Sequence, residues 1–307
     1  MNRNVSFVSI IIPVYNDGDR LKLCLTALEK QTYNRDDFEV IVVDNGSEQD
    51  IKAVTDMFKR VRYEQEKCPG SSAARNKGLL SAQGEILAFT DADCIPAVNW
   101  IENGVRAMKS SLEDILVAGR VDYHFMDPLY PTMSELYDST LYLRSQIDME
   151  TFHVIATANL FTYKRIFNVI GYFDDAMKYR SDFEWTLRAY WSNYRQIYVD
   201  DAVVSHAAKN SLRELFKRVN HQTLAEYIHS KRNEKWLKDF FSNYGIMFRW
   251  KLFFKDIIFV LTYSKIEKVI DKIKVLVIMS ICSLVGTQTY VQAFITDKIL
   301  KQPLQYH

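Results

Sequence analysis

Cysteine is scarce. Cys24, Cys68, Cys94 and Cys282 are the only four in 307 residues, and no two form a C-x-x-C pair. That argues against a zinc site or a disulfide framework and suits a reducing compartment. An excess of charge of one sign is also missing: 39 Lys and Arg stand against 38 Asp and Glu, a net charge of +1. Nothing therefore points to nucleic acid as a partner. The chain contains no G-x-x-x-x-G-K-[ST] and no G-x-G-x-x-G, which disfavours a P-loop or a dinucleotide fold. There is no internal repeat and no low-complexity linker. The first residues, MNRNVSFVSIIIPVYN, hold too short an apolar run for a signal peptide, and Pro13 and Asn16 interrupt it. The main body of the chain is accordingly expected in the cytoplasm.

What is present is enough apolar sequence, 48% of residues, for a sizeable core. The first half alternates short β-branched runs with helical periodicity. Strands are predicted at Val8–Val14, Phe38–Asp44, Val61–Gln65 and Ile86–Thr90, and helices at Asp19–Lys30, Ile51–Arg60 and Ser71–Ala82. This order implies βαβ units and a mostly parallel sheet flanked by helices. Further strands are expected at Ile115–Phe125, Val154–Tyr163 and Gln196–His206, with helices at Ser134–Met149 and Ser181–Tyr190. Beyond His206 the chain reads as helical. The division expected is an α/β domain over 1–210 and a helical region over 211–307.

The central stretch is Glu85–Cys94, EILAFTDADC, a buried strand running into Asp91 and Asp93. Open α/β sheets bind ligands at the carboxyl ends of their strands. Two acids one residue apart there can share a hard divalent cation and the phosphates it bridges. Asp44 ends the second strand and faces the same crevice; Asn45-Gly46 after it also reads as a plain turn. Gly70-Ser71-Ser72 opens a helix that carries Arg75, a cation suited to a diphosphate. Ser181 and Glu184 fit a capping box, and Glu184 and Arg188 an i,i+4 pair, leaving Asp182 without a structural duty.

The motifs PVYN (Pro13–Asn16), VDNGS (Val43–Ser47), GSSAARNKG (Gly70–Gly78), DAD (Asp91–Asp93), GYFDD (Gly171–Asp175) and SDFEWTLR (Ser181–Arg188) occur in the order and spacing of one family. Over about residues 8–210 the chain resembles glycosyltransferase family 2. The resemblance implies a GT-A fold, a nucleotide-sugar donor, expected to be UDP-linked, and inversion at the anomeric carbon. It also implies Mg2+ or Mn2+ as cofactor. On that resemblance Pro13, Val14, Tyr15, Asn16, Asp44, Arg75, Asp91 and Ala92 form the donor site, with Asp44 against the base. Tyr15 near the base and Tyr15 in the core are both open readings. Asp93, Asp91 and His206 would hold the metal, Asp91 alternatively touching the ribose. Asp182 would be the general base. Asn159, Glu184 and Trp185 would lie on the acceptor side, although burial against the sheet explains Trp185 equally well. Rival readings are a sugar-nucleotide-binding protein without transferase activity and a nucleotidyltransferase. The second would want a Gly-rich phosphate loop after the first strand, which PVYNDGD is not.

The tail mixes Trp236, Phe240, Phe241, Tyr244, Phe248, Trp250, Phe253 and Phe254 with Lys235, Lys238, Arg249, Lys251 and Lys255. Such a mixture suits the surface of an anionic membrane. The uncharged run Val275–Ile295 approaches spanning length, but Thr287, Gln288, Thr289 and Gln292 favour peripheral attachment over a span. The partners expected are thus a nucleotide-sugar donor, a glycan or lipid-linked acceptor, and a membrane surface at the inner face of the cytoplasmic membrane, in polysaccharide or glycolipid synthesis.

Overall fold

The computed structural model describes residues 6–177, 179–231 and 246–298, with side chains of the last segment from 250 onward. The chain divides into two compact units. One comprises Met1–Tyr123 and Leu143–Ala207, the other His124–Tyr142 and Ala208–His307. The segment 124–142 thus groups with the tail, where the sequence reading placed it in the α/β domain.

The first unit is built on strands β1 (Val8–Val14), β2 (Phe38–Asp44), β3 (Val61–Gln65), β4 (Ile86–Phe89), β5 (Cys94–Pro96), β6 (Ile115–His124), β7 (Leu160–Tyr163) and β8 (Arg195–Ala207). They form one sheet in the order β3-β2-β1-β4-β7-β6-β8-β5. The β3-β2-β1-β4 half is parallel. Beyond β4 the sheet turns antiparallel at β4–β7, β7–β6 and β8–β5. The sheet is therefore mixed where a mostly parallel one was expected.

Alternation along the central strands divides the core between the two faces of the sheet. Ile10, Ile12, Val40, Val42, Ile86 and Ala88 pack on one face. Ile11, Ile41, Val43, Leu87 and Phe89 pack on the other. A strand covered on both faces has no polar positions to offer, which is why these runs are continuously apolar. Parallel register sets Val14 beside Asp44, so the chain leaves β1 and β2 at the same edge.

The helices of this unit are α1 (Gly18–Leu28), α2 (Ile51–Thr55), α3 (Ser71–Ser81), α4 (Trp100–Lys109), α6 (Ser145–Phe152), α7 (Lys164–Ile170) and α8 (Ser181–Trp191). Helix α3 lies close over β1: a Cβ on Gly78 would come within 2.6 Å of Ile11. The helix expected over 134–149 is two helices, α5 (Met133–Leu141) and α6. The break falls at Leu143, whose φ of 46° ends helical geometry where the chain passes between units. The strand expected over 154–163 shortens to β7 because Thr157–Asn159 forms a 3-10 turn.

The second unit packs α11 (Val269–Lys298) against α5, α9 (Leu212–His229) and α10 (Ile246–Thr262). Asp138 is fully buried, paired with Arg218 and accepting from the Lys209 amide at 2.8 Å. Val275, Ile278, Met279, Cys282, Gly286 and Ala293 form the inner face of α11. The uncharged run is thus explained in part by packing, and no described helix is long and apolar enough to cross a membrane. Trp236, Phe240, Phe241, Tyr244, Lys235 and Lys238 lie outside the described residues, as do the side chains of Phe248 and Arg249.

Candidate active site

Three loops at the carboxyl ends of the parallel strands are stitched together by two asparagines. Asn16 sits at φ 50°, its amide donating to Ser47 Oγ at 2.9 Å and its Oδ1 accepting from the Glu48 amide at 2.7 Å. Asn45 donates to the Cys68 carbonyl at 2.7 Å and accepts from the Gly70 amide at 2.6 Å. Asp44 is buried beneath them; it accepts from the Ser47 amide at 2.9 Å and from Tyr63 OH at 3.0 Å. Burial and the neighbouring carboxylate push the Tyr63 phenol above its ordinary pKa, keeping it a donor to Asp44. Pro13 and Val14 are buried in β1, whereas Tyr15 is 63% exposed at the rim, which removes its core reading.

Asp91 and Asp93 diverge as they leave β4. Asp91 accepts from Arg75 Nη2 at 2.7 Å, and Arg75 Nη1 donates to Ser71 Oγ at 3.1 Å. Arg75 is only 6% exposed, and its Nε is buried without a partner. Its first task is therefore to hold Asp91. Ala92 is buried between the two acids.

Asp93 turns toward β8. The register Cys94↔His206 brings His206 Nε2 to 3.5 Å from Asp93 Oδ1, and Arg20 Nη1 lies 3.9 Å from Oδ2. His206 Nδ1 lies 2.8 Å from the Ala207 carbonyl and donates to it, so Nε2 is the ring nitrogen that faces Asp93. A cation bound at about 2.1 Å holds adjacent ligands about 3 Å apart, so this gap fits one. Asp93, Cys94 and His206 form the metal-ligand group found among the described residues, their ligand atoms within 4.8 Å of one another. Burial, with Asp93 and Asp91 nearby, holds the Cys94 thiol well above its usual pKa, which makes it a poor ligand. Asp91, expected in the metal set, is instead paired with Arg75.

Asp182 is half-buried in the first turn of α8. Its Oδ2 accepts from the Thr157 amide at 3.3 Å and Thr157 Oγ1 at 3.4 Å, long bonds that orient the carboxylate. The capping box does not form. Arg180, in a left-handed conformation, precedes the helix, and the Ser181 hydroxyl is hydrogen-bonded to that of Ser72. Ser72 lies one helical turn before Arg75, so a continuous path runs from α8 through α3 to Asp91. The part played by Ser72 was not legible, since the pairing spans more than a hundred residues.

Three expected acceptor-side residues have structural roles. Trp185 is 0% exposed, stacks on Phe167 with centroids 4.0 Å apart, and donates to the Gly171 carbonyl at 2.8 Å. Glu184 is buried in a bidentate pair with Arg188, at 2.9 and 2.8 Å. Asn159 accepts from Trp100 Nε1 at 2.8 Å and donates to the carbonyls of Arg120 and Ala202, each at 2.8 Å. With all its amide atoms engaged inside the fold, Asn159 has nothing to offer an acceptor.

The family model for glycosyl transferase family 2 matches residues 9–171. The glycosyltransferase AglE of Haloferax volcanii is 35% identical over 215 residues, 68% of this chain and 69% of that protein. Among solved structures, the mannosyltransferase PcManGT from Pyrobaculum calidifontis superposes with a TM-score of 0.61 at 17% identity, covering 98% of this chain and 89% of that one. TarS 1-349 of S. aureus gives 0.54 at 15%, covering 98% and 94%. The fold is that of the GT-A enzymes, and the chain belongs to glycosyl transferase family 2. It is a glycosyltransferase, which sets aside the nucleotidyltransferase and binding-module readings.

Asn159→Ala would leave the Trp100 indole N–H and two carbonyls unsatisfied in the core. Denaturant unfolding should show a loss of about 2–4 kcal/mol. At temperatures where the variant is folded, its acceptor KM should be unchanged; a raised KM with unaltered stability would restore Asn159 to the acceptor side.

Proposed function

We propose that this chain transfers a sugar from a nucleoside-diphosphate donor to an acceptor hydroxyl, with inversion and with a divalent metal, Mg2+ or Mn2+. The observation that carries the reading is the Asp93–His206 pair, 3.5 Å apart with Nε2 facing the carboxylate and Nδ1 held by the Ala207 carbonyl. Asp93 and His206 would hold the metal, which would supply positive charge to the departing diphosphate. Two structural neighbours point the same way: PcManGT was solved with GDP-Man and Mn2+, and TarS with UDP.

The remaining work falls to the chain's own groups. Asp44 and the loops tied by Asn16 and Asn45 would bind the base and ribose, with Tyr15 exposed to cover them. Arg75 holds Asp91 at 2.7 Å and would orient it toward the donor. Asp182 would take the acceptor O–H proton as that oxygen bonds to the anomeric carbon. The bond from that carbon to the diphosphate breaks on the opposite face, and the diphosphate departs with its electron pair. No covalent intermediate is required. Thr157 would orient Asp182 through long bonds from its amide and its hydroxyl to Oδ2, and the Phe183 amide holds Oδ1 at 2.9 Å.

Asp182→Asn retains size and most hydrogen bonding but cannot take a proton. Turnover should fall roughly 10²-fold or more while donor affinity, measured by calorimetry, stays as in the parent. Weakened donor binding with unchanged turnover would move Asp182 into the donor site.

The second unit supports attachment to the cytoplasmic face of an anionic membrane, where the acceptor would be a lipid-linked or surface glycan. Besides its packed face, α11 exposes Ile273, Val277, Ile281, Leu284, Val291 and Ile295, a second apolar stripe along one side. On α10, Phe254, Ile258 and Leu261 are exposed at helical spacing, near Lys251 and Lys255. Apolar side chains beside lysines fit the headgroup boundary of such a membrane. Flotation with anionic vesicles should carry the whole chain, and high salt with carbonate should release it. Failure to float would remove the membrane from the account, and resistance to carbonate would replace surface attachment by insertion.

A further inference from the structure

On the first unit a cavity of about 520 Å³ opens at the far end of α8 from Asp182. Trp191, which borders it, lies nine residues beyond Asp182, roughly 13 Å along the helix axis. Its walls come from the end of α6, the end of α8 with the turn after it, and the start of β8. The proposed chemistry makes no use of any residue here. We propose that this cavity is a second glycan-binding site, one that holds a pyranose ring away from the reacting centre.

The aromatic side chains are unusually placed. Trp191 is 61% exposed, and its indole N–H has no partner among the described residues. Tyr190 meets it edge-on with centroids 5.8 Å apart, and His153 stacks on Tyr190 at 3.8 Å and 7°. A large exposed aromatic beside a stacked pair gives a broad ring surface open to the cavity. The flat, weakly polar faces of such rings match the C–H face of a sugar.

The polar groups match the hydroxyls. Gln196 donates from Nε2 to the carbonyls of His153 and Thr186, at 3.1 and 2.8 Å, which settles the orientation of its amide. Its Oε1 is then buried with no hydrogen-bond partner. The two bonds from Nε2 tie the lining of the cavity to the end of α6 and to α8. Burial lowers the pKa of His153, so at neutral pH its ring presents one donor and one acceptor. Asn193 and Glu150 add further polar groups at the rim. An open cleft of this size, with aromatic walls and a few polar groups, has the make-up of a small-ligand site. Arg195 is the one cation in the lining and Glu150 opposes it, so a polyanionic nucleotide finds little to match its charge.

The test uses the whole chain carrying Asp182→Asn, so that no glycan is consumed. Saturation-transfer NMR would screen a panel of neutral and acidic di- to tetrasaccharides, alongside UDP and GDP. At least one oligosaccharide should bind, and Trp191→Ala should weaken it about tenfold or more. Trp191→Phe should restore much of the affinity, and both variants should keep the parent circular dichroism. Donor binding, followed separately by calorimetry, should be untouched by either change, so failure here leaves the transferase reading standing. The proposal is overturned if no oligosaccharide binds, if Trp191→Ala binds as the parent does, or if Trp191→Ala weakens a nucleotide instead.

Discussion

The antiparallel pairing of β5 with β8 is the constraint on which the site depends. Cys94 faces His206, Ile95 faces Ser205 and Pro96 faces Val204, so a three-residue strand decides where Asp93 stands. The Ala207 amide bonds to the Asp93 carbonyl at 3.0 Å and closes the pairing at its end. A slip of one residue would turn His206 to the other face of the sheet and separate it from Asp93. In the parallel half the exit loops are tied by asparagine side chains, and every side chain of β1 is buried. The fold thus combines a parallel half with tied exit loops and an Asp93–His206 pair resting on a short antiparallel joint.

Electrostatics divide the two acids of the Asp-Ala-Asp turn. Asp91 is neutralised by a nearly buried arginine, and removing either partner would strand a charge in a poorly solvated place. Asp93 instead faces His206 at 3.5 Å and Arg20 at 3.9 Å. The hydroxyl contact between Ser72 and Ser181 connects the helix bearing Arg75 to the helix bearing Asp182. Asp182 and the Arg75–Asp91 pair are therefore tied through packed elements within one unit.

The parallel half of the fold and the turn carrying Asp91 and Asp93 were legible because they depend on local signals. Continuous apolar runs define doubly covered strands, and acids at strand ends define a polar edge. The antiparallel half was less so, since nothing in residues 94–96 or 195–207 marks their pairing. Asn159, Glu184 and Trp185 were read as acceptor-facing from motif position, yet their partners, among them Trp100, Arg120 and Gly171, are distant or lie outside the motif. Glu184 shows how two local patterns compete: it fits both a capping box and an i,i+4 pair, and only the pair with Arg188 forms. Leu143 gives no composition signal for the break between α5 and α6. Asp182 was legible as a residue but not its contact with Thr157.

Metal binding at the joint of β5 and β8 tests the account most directly. Mn2+ titration of the whole chain, read by electron paramagnetic resonance with UDP or GDP present, should show one bound ion. Asp93→Asn and His206→Ala should each weaken it at least about tenfold, whereas Cys94→Ser should leave it nearly unchanged. Undiminished Mn2+ affinity in His206→Ala would contradict the account, because the joint would then have no part in holding the metal.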